Sequence, residues 1–367
     1  MICAIYGTTG ELIKLAPVLV RIRETGGSYV SATTGQQVQQ IPALLAQLGL
    51  AQPEVWLARG SGERDLHTNS DIPGWLTRVA ATFARERGYL RHLAQNGAGK
   101  PLVLVHGDTM TTLLGALMGR AMRVPVAHIE AGVRTWDIFH PFPEELNRRL
   151  VSRVAQIHYA PGPSAAANLK RGIVVDTSTN TIRDSVHLAP LDSPIPPIVE
   201  GRRYGVVSLH RYELLKDREL LGETLEALSR HARRTPLLFV DHPVTIAAIE
   251  RFRLGALFDD EHFIRMERLS FFSFVGLLRR SAFVVTDSGG SQVESFELDL
   301  PCLVHRKKVE QPEGVGENVV VSGLSIAELE RFLEEPDRHR RTSPRSVLSP
   351  SDVIVADLRQ RGYLRTS

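Results

Sequence analysis

The chain has 367 residues, an apolar content of 43% and 44 basic against 41 acidic side chains. This length exceeds what one hydrophobic core usually supports, so two domains are expected. The net charge of +3 gives no basic footprint for nucleic acid. No run approaches the roughly 20 apolar residues of a membrane span, and MICAIYG at the start lacks the features of a signal peptide. We expect a cytoplasmic protein in which Cys3 and Cys302, both within apolar runs, are buried reduced thiols.

Short β-branched runs alternate with amphipathic stretches along the chain, which is typical of doubly wound parallel sheets. In the first half, the predicted strands are Ile2–Tyr6, Tyr29–Thr33, Leu102–His106, Pro125–Glu130 and Ile157–Ala160, and the predicted helices are Leu12–Glu24, Trp75–Gln95 and Thr111–Met122. In the second half, the predicted strands are Tyr204–Leu209, Leu237–Asp241, Phe283–Asp287 and Cys302–His305, and the predicted helices are Asp217–Arg234, Phe271–Arg280 and Ser325–Glu334.

A proline-rich segment at 188–203 separates the two halves, and the last residues regain helical periodicity. We therefore expect an α/β fold with two Rossmann-like domains, at 1–175 and 176–350, and a C-terminal helix within 351–367 that packs on the first domain. Two such domains facing each other would form a cleft at the C-terminal ends of both sheets, where open α/β folds bind ligands.

The stretch HGDTMTTLLGALMGRAMRVPVAHIEAGVRT (106–135) places an acid at the end of each of two apolar runs. Asp108 and Glu130 each follow a histidine by two residues, His106 and His128. The four side chains have the chemistry of metal ligands if the strands are neighbours. The two acids equally suit acid/base chemistry, or simple caps at strand ends. The residues alone leave these alternatives open.

Common cofactor signatures are missing, because GTTGEL lacks the dinucleotide-binding spacing and NGAGKP has proline where a P-loop needs Ser or Thr. TDSGGSQVE (286–294) follows a predicted strand and opens a helix, so its free N–H groups are suited to phosphate. Glu144 and Arg148 lie four residues apart on another predicted helix, on one face. His210 and His242 each follow a predicted strand.

Together these motifs resemble the UDP-N-acetylglucosamine 2-epimerase family, whose fold is of the glycosyltransferase-B type. The resemblance runs from Gly7 to about Val321. It is carried by GTTGELIKLAPVL, TGQ (34–36), HGDTMTT, HIEAGVRT, PFPEELNRR, NT (180–181), HR (210–211), HP (242–243), TDSGGSQVE and EQPE (310–313). The resemblance implies no metal and no other cofactor, a UDP-sugar substrate, a homodimer and a role in cell-envelope polysaccharide synthesis.

The resemblance also assigns roles to individual positions. The acid/base residues it implies are Asp108, Glu130, Glu144 and His210. The contacts with the UDP-sugar that it implies are Lys14, Arg134, Arg148, Arg211, His242, Ser288, Gly289, Gly290 and Glu294. In this family UDP leaves C1 as the C2 proton is removed, and UDP then adds back to the 2-acetamidoglucal with C2 protonated from the other face. Inversion needs groups on both faces of the sugar, so one residue is not enough.

The sequence departs from the family pattern at several positions. Thr9 and Gly10 stand where the family has arginine and proline, Gln37 where a histidine follows TGQ, and Tyr212 where a second arginine follows HR. These changes spare the acid/base residues and touch expected phosphate and regulatory contacts. We expect a 2-epimerase that interconverts UDP-GlcNAc and UDP-ManNAc. The alternatives are a hydrolysing 2-epimerase, a glycosyltransferase of the same fold, and an inactive nucleotide-sugar-binding regulator.

Overall fold

A computed structural model describes residues 1–59, 64–66, 69–97, 99–137, 143–189, 196–309, 313–341 and 348–365. The chain forms two compact units, one of Met1–Ser185 with Val347–Ser367 and one of Val186–Ser346. We call them the first and the second unit. Within the described ranges, no helix is both long and apolar enough to cross a membrane.

The first unit contains a seven-stranded parallel sheet. Its strands are β1 (Ile2–Tyr6), β2 (Tyr29–Thr33), β3 (Val55–Trp56), β4 (Leu102–His106), β5 (Val126–Ile129), β6 (Ile157–Ala160) and β7 (Ile173–Asp176). They are arranged in the order β3-β2-β1-β4-β5-β6-β7. Every residue of β1, β4 and β5 is buried, because helices cover both faces of a parallel sheet. These strands therefore read as continuous apolar runs.

The second unit repeats this arrangement with six parallel strands. They are β8 (Gly205–Ser208), β9 (Leu237–Val240), β10 (Phe263–Met266), β11 (Phe283–Thr286), β12 (Cys302–Val304) and β13 (Val319–Val321). Their order is β10-β9-β8-β11-β12-β13. Both sheets thus follow the Rossmann order 3-2-1-4-5-6, in which the strand order reverses beside the first strand. The predicted pair of Rossmann-like α/β domains is confirmed.

Helices connect the strands in both units. They are α1 (Thr9–Glu24), α2 (Gln40–Gln47), α3 (Ile72–Gln95), α4 (Met110–Met122), α5 (Glu144–Val154), α6 (Pro163–Ala167), α7 (Ile182–Leu188), α8 (Tyr212–Leu215), α9 (Arg218–Ala232), α10 (Pro243–Phe252), α11 (Phe271–Arg280), α12 (Gly289–Glu297), α13 (Ile326–Glu334) and α14 (Pro350–Gln360). Helix α14 packs against α1 in the first unit, where the Tyr159 hydroxyl donates to Asp357 over 2.9 Å.

All nine predicted strands exist, with ends within one residue of the predicted bounds, and Cys3 and Cys302 are buried free thiols as expected. Burial raises the pKa of both thiols to about 12, so neither is a reactive thiolate at neutral pH. Four further strands were not predicted from the sequence. These are β3, β7, β10 and β13.

Candidate active site

The switch point of the first sheet, between β1 and β4, is organised by a buried glutamate. Glu11 is 3% exposed, and its Oε2 accepts hydrogen bonds from the Gly7 and Thr8 amides, each over 2.9 Å. Its Oε1 accepts from the Thr109 hydroxyl over 2.7 Å. Burial raises the pKa of Glu11, and these donors oppose that rise. Glu11 therefore ties the turn after β1 to the turn after β4, directly beside Asp108.

Two positions that depart from the family pattern contact each other at the start of α1. The Gln37 amide oxygen accepts from the Thr9 backbone N–H over 2.6 Å and from the Thr9 hydroxyl over 2.7 Å. A free N–H at a helix start is a common site for anions. Here the chain's own amide occupies it, so the Thr9 and Gln37 changes form one local arrangement.

Asp108 follows β4 and forms an ion pair with α5. Its Oδ2 accepts from Arg148 Nε over 2.9 Å and lies 2.6 Å from a terminal guanidinium nitrogen. The Asn147 side chain donates to the Asp108 carbonyl over 2.9 Å. Two nitrogens of Arg148 thus contact the same Asp108 oxygen in a charge-assisted ion pair. Arg148 therefore binds Asp108, whereas its spacing along the helix predicted only that it shares a face with Glu144.

Glu130 follows β5 and is held by a lysine. Lys14 Nζ of α1 lies 3.0 and 2.8 Å from its two carboxylate oxygens. Burial lowers the pKa of Lys14, but the attraction of Glu130 more than offsets this and leaves it raised. The backbone of Glu130 has φ of +64°, a left-handed conformation that costs roughly 1 kcal/mol for such a residue. This turn takes Glu130 out of the strand and directs its carboxylate to Lys14.

The histidines that precede the two acids are buried and neutral. Burial, then the charge of Lys14, lowers the pKa of His106 well below its usual range, and its Nε2 lies 3.4 Å from Glu130. Burial lowers the pKa of His128 to about 4, and its Nε2 donates to the Gly107 carbonyl over 2.7 Å. In the part of the chain described, no three metal-ligating side chains cluster as a metal site.

Two other predicted residues lie close by in the first unit. The Glu144 Oε2 atom at the start of α5 is buried and has no hydrogen-bond partner among the described residues. Arg134 donates to the Ser152 hydroxyl over 2.8 Å and to the Val133 carbonyl over 2.7 Å. Glu144 therefore has an open hydrogen-bonding position, whereas the guanidinium of Arg134 binds its own surroundings.

The switch point of the second sheet, between β8 and β11, also contains a buried acid. Asp287 is fully buried and accepts the His210 amide over 2.9 and 2.8 Å and the Arg211 amide over 2.7 Å. Burial raises the pKa of Asp287 to about 6 although the two amides oppose the rise. Asp287 thereby fixes the backbone that carries two predicted site residues.

The side chains of His210 and His242 stack on each other. Their ring centroids are 4.4 Å apart, at an interplanar angle of 26°, and His242 Nε2 lies 3.3 Å from the Ser208 hydroxyl. Burial lowers the pKa of both rings to about 4, with nearby arginine charge acting on His210 and with His210 acting on His242. Both imidazoles are therefore neutral near pH 7.

The glycine turn after β11 opens helix α12. Ser288 is the N-cap and accepts from the Ser291 amide, and Gly289 and Gly290 form the first helical positions. Glu294, one turn on, is 8% exposed, and its Oε2 has no partner in the described ranges. Burial raises the pKa of Glu294 to about 7. An uncompensated carboxyl beside a helix start is suited to accept hydrogen bonds from a bound ligand.

The sequence reading did not assign Glu11 or Asp287, although both belong to motifs it quoted. The Thr8–Glu11 pair has the spacing of a capping box, which the structure contains, but this signal does not reveal the bond to Thr109. Glu145 lies in the first turn of α5. It is fully buried and binds Arg149 over 2.9 Å and Thr135 over 3.1 Å.

Comparison with known proteins identifies the family. A family model described as UDP-N-acetylglucosamine 2-epimerase matches residues 91–345. The chain belongs to the UDP-N-acetylglucosamine 2-epimerase family. A UDP-N-acetylglucosamine 2-epimerase of Yersinia pestis is 33% identical over 87% of this chain and 85% of its own. One from Bacillus subtilis is 29% identical over 94% of this chain and 90% of its own.

Solved structures share the fold of this chain. UDP-GlcNAc 2-epimerase from Methanocaldococcus jannaschii has a TM-score of 0.78 and 24% identity, covering 97% of this chain and 99% of that one. The S. aureus MnaA-UDP co-structure has a TM-score of 0.74 and 26% identity, covering 98% and 96%. Two motifs of the epimerase resemblance fall partly outside the described residues, at 141–142 and 310–312.

Proposed function

We propose that this chain interconverts UDP-GlcNAc and UDP-ManNAc by eliminating UDP and adding it back. The observation that carries the proposal is the set of carboxylates in the first unit. Asp108 and Glu130 end neighbouring strands, and each is bound by its own cation. A third carboxylate, Glu144, keeps a buried oxygen without a partner among the described residues. Family membership supplies the sugar chemistry for which such a set is suited.

The surroundings of the three acids suggest a division of labour. Asp108 and Glu130 each have a cation partner, Arg148 and Lys14, and we assign these two carboxylates to proton removal at C2 and to stabilising positive charge on the sugar. Glu144 is not compensated in this way, and we assign it to proton delivery. Acid/base groups with different surroundings are what an inversion at one carbon requires.

The elimination is written with its electrons balanced. The C1–O bond breaks, and its electron pair leaves with UDP. A carboxylate removes the C2 proton, and the electrons of the C2–H bond form the C1=C2 bond of the 2-acetamidoglucal. In the return step, the double bond takes a proton at C2 on the opposite face, and the UDP oxygen bonds to C1. Positive charge at C1 in the transition state acidifies C2–H, and nearby carboxylates stabilise that charge.

We assign UDP binding to the second unit. The start of α12 presents the backbone N–H groups of Gly289 and Gly290, which suit phosphate. The Ser288 amide donates to the Thr286 hydroxyl over 3.1 Å, and Glu294 lies one turn beyond the glycines. Arg211 and His242 follow the neighbouring strands. The S. aureus relative was solved with UDP, which supports a UDP ligand in this chain.

The proposal is tested by incubating the protein with UDP-GlcNAc in D2O and following proton NMR spectra. We expect UDP-ManNAc to form with deuterium at C2 of both sugars. Release of free ManNAc and UDP would identify the hydrolysing reaction instead. If no UDP-HexNAc exchanges its C2 proton while UDP still binds, the chain is a binding protein and not an epimerase.

We further propose a cytoplasmic homodimer that serves cell-envelope polysaccharide synthesis, as the family resemblance implies. Light scattering coupled to size exclusion tests the assembly. The expected mass is twice the 40.7 kDa of the chain, and a single species at 40.7 kDa would contradict the dimer. The proposed reaction does not depend on this result.

A further inference from the structure

A buried aspartate joins the two strand ends at the switch point of the second unit. Asp287 ends β11, beside β8, whose following loop carries His210 and Arg211. Its carboxylate accepts three contacts of 2.7–2.9 Å from the amides of these two residues and is fully buried. A buried carboxylate needs such donors, because an uncompensated charge in the interior is costly. The backbone of the predicted acid/base histidine is therefore set by Asp287.

The same carboxylate also lies beside the ring of His210. His210 Nδ1 is 3.3 Å from Asp287 Oδ1, although the two atoms are not aligned as a hydrogen bond in this structure. The ring of His242 stacks on the ring of His210, with their centroids 4.4 Å apart, and limits the movement of that imidazole. A small rotation of the imidazole within this stack would align Nδ1 with Asp287. A carboxylate at that nitrogen favours a proton on Nδ1 and leaves the lone pair on Nε2.

We propose that Asp287 is the positioning residue of His210. It fixes the backbone of the histidine through two amides and its tautomer through Nδ1, so that Nε2 is the free nitrogen presented to a ligand. This inference rests on the proposed function, in which His210 takes part in acid/base chemistry. Carboxylates hold histidines in the working tautomer in the same way in other enzymes.

The position of Asp287 gives this pairing a second consequence. The next residue is Ser288, the N-cap of α12 and part of the proposed UDP-binding turn. Asp287 therefore connects the turn assigned to the leaving group with the histidine assigned to the reaction. Its loss should leave UDP binding at Ser288–Gly290 in place but misplace His210. A purely structural role for Asp287 would weaken both together.

The first test uses Asp287→Asn, which keeps the shape and one accepting oxygen. We expect kcat to fall about 10- to 100-fold, the range for partners that orient a functional histidine. We expect UDP affinity by calorimetry to fall by a much smaller factor, because Asp287 also accepts the amide of Arg211, which is assigned to UDP binding. Asp260→Asn is the matched control. Asp260 also accepts a backbone amide, that of His262, but it binds Arg233 at the surface and is not among the residues assigned to the site. Unchanged kcat, or equal losses of kcat and UDP affinity, would overturn the proposal.

A double-mutant cycle separates positioning from general damage. In a His210→Asn background, Asp287→Asn should cause no further loss of kcat, because the group it positions has gone. Independent, multiplying losses would show that Asp287 acts elsewhere and would overturn the proposal.

A second measurement needs neither a variant of Asp287 nor turnover. Nitrogen-15 NMR of the imidazoles in the wild-type chain at pH 7.5, with the signals of His210 assigned by their loss in His210→Asn, reports the tautomer directly. We expect the proton on Nδ1, and a proton on Nε2 would overturn the inference. Since this readout is independent of catalysis, an inactive wild-type chain with the Nδ1–H tautomer would reject the proposed function and keep the positioning role.

Discussion

The candidate sites of the two units carry their charges in different ways. In the first unit, Asp108 and Glu130 each contact a cation within 3 Å, Arg148 and Lys14. In the second unit, neither Asp287 nor Glu294 has a lysine or arginine partner that close among the described residues, and burial raises their pKa values to about 6 and about 7. Ion pairs hold the acids of the first site. In the second site, backbone amides hold Asp287, and burial raises the pKa of both acids.

This difference indicates what each site is prepared to receive. Carboxylates that cations hold in a fixed place suit a role beside a developing sugar cation. A buried acid can accept hydrogen bonds from a ligand, and a glycine-rich helix start can bind an anionic group of the ligand. We therefore expect changes in the first site to affect chemical rate. In the second site, we expect changes at Glu294 and the glycine turn to affect binding, stability and pH dependence, whereas Asp287 affects the rate through His210.

The largest effect is expected from Asp108→Asn. The amide keeps the shape but removes the charge that faces Arg148, so C2 proton exchange should fall by about 10²- to 10⁴-fold, the range for acid/base groups. UDP binding, which we assign to the second unit, should persist. Exchange in D2O and UDP calorimetry measure the two effects. Asp352→Asn, which removes a surface partner of Arg21, is the control, and wild-type exchange in Asp108→Asn would refute its role.

Lys14→Met breaks the second ion pair of the first site. Removing one partner of a partly buried, hydrogen-bonded charge pair costs about 2 kcal/mol, or roughly 30-fold in kcat. The charge of Lys14 also contributes to the low pKa of His106, so that pKa should rise in the variant, visible by NMR titration. Lys14→Arg keeps the charge and should restore much of the rate. If Met and Arg variants were equally slow, packing and not charge would be responsible.

The fold was predictable where apolar runs are long and both faces are covered. Buried strands such as β1, β4 and β11 begin with three to five consecutive apolar residues, and the pattern predicts them without further information. β3 has two residues, and β7 at the sheet edge has an exposed or intermediate residue at each position. Such strands form because a neighbour offers free backbone groups, which periodicity does not record.

The candidate site was predictable as positions at strand ends but not as a set of contacts. That Asp108 and Glu130 stand at strand ends follows from the motif and its spacing, and the structure shows that the two strands are neighbours. That Arg148 binds Asp108 and not Glu144, and that Glu11 reaches Thr109, depends on which turns meet in space. The positive φ of Glu130 is likewise a property of the folded turn, since its sequence predicts only the end of a strand.

In the second unit, Glu294→Gln tests whether burial raises the pKa of this carboxyl group. The pKa of Glu294 is raised from 4.5 to about 7, so the unfolded chain ionises first and stability is lost as pH rises between these values. At 1.36 kcal/mol per unit, the cost above pH 7 is about 3 kcal/mol at most. The variant should therefore be stabilised at pH 8 and little changed at pH 5 in urea unfolding. Exposed Glu330→Gln is the control, and equal effects at both pH values would contradict the burial account.

The smallest effect is expected from Gln37→Ala, which removes the acceptor of the Thr9 amide and hydroxyl. Losing a side-chain partner at a helix start costs about 1 kcal/mol of unfolding free energy, less here because water reaches this half-buried turn. Gln37→Glu restores an acceptor and adds a charge that the start of α1 favours, so it should recover that stability. If Gln37→Ala lowered kcat in protein that remains fully folded, the start of α1 would contribute to the reaction together with Asp108 and Glu130. Its role would then not be limited to stability.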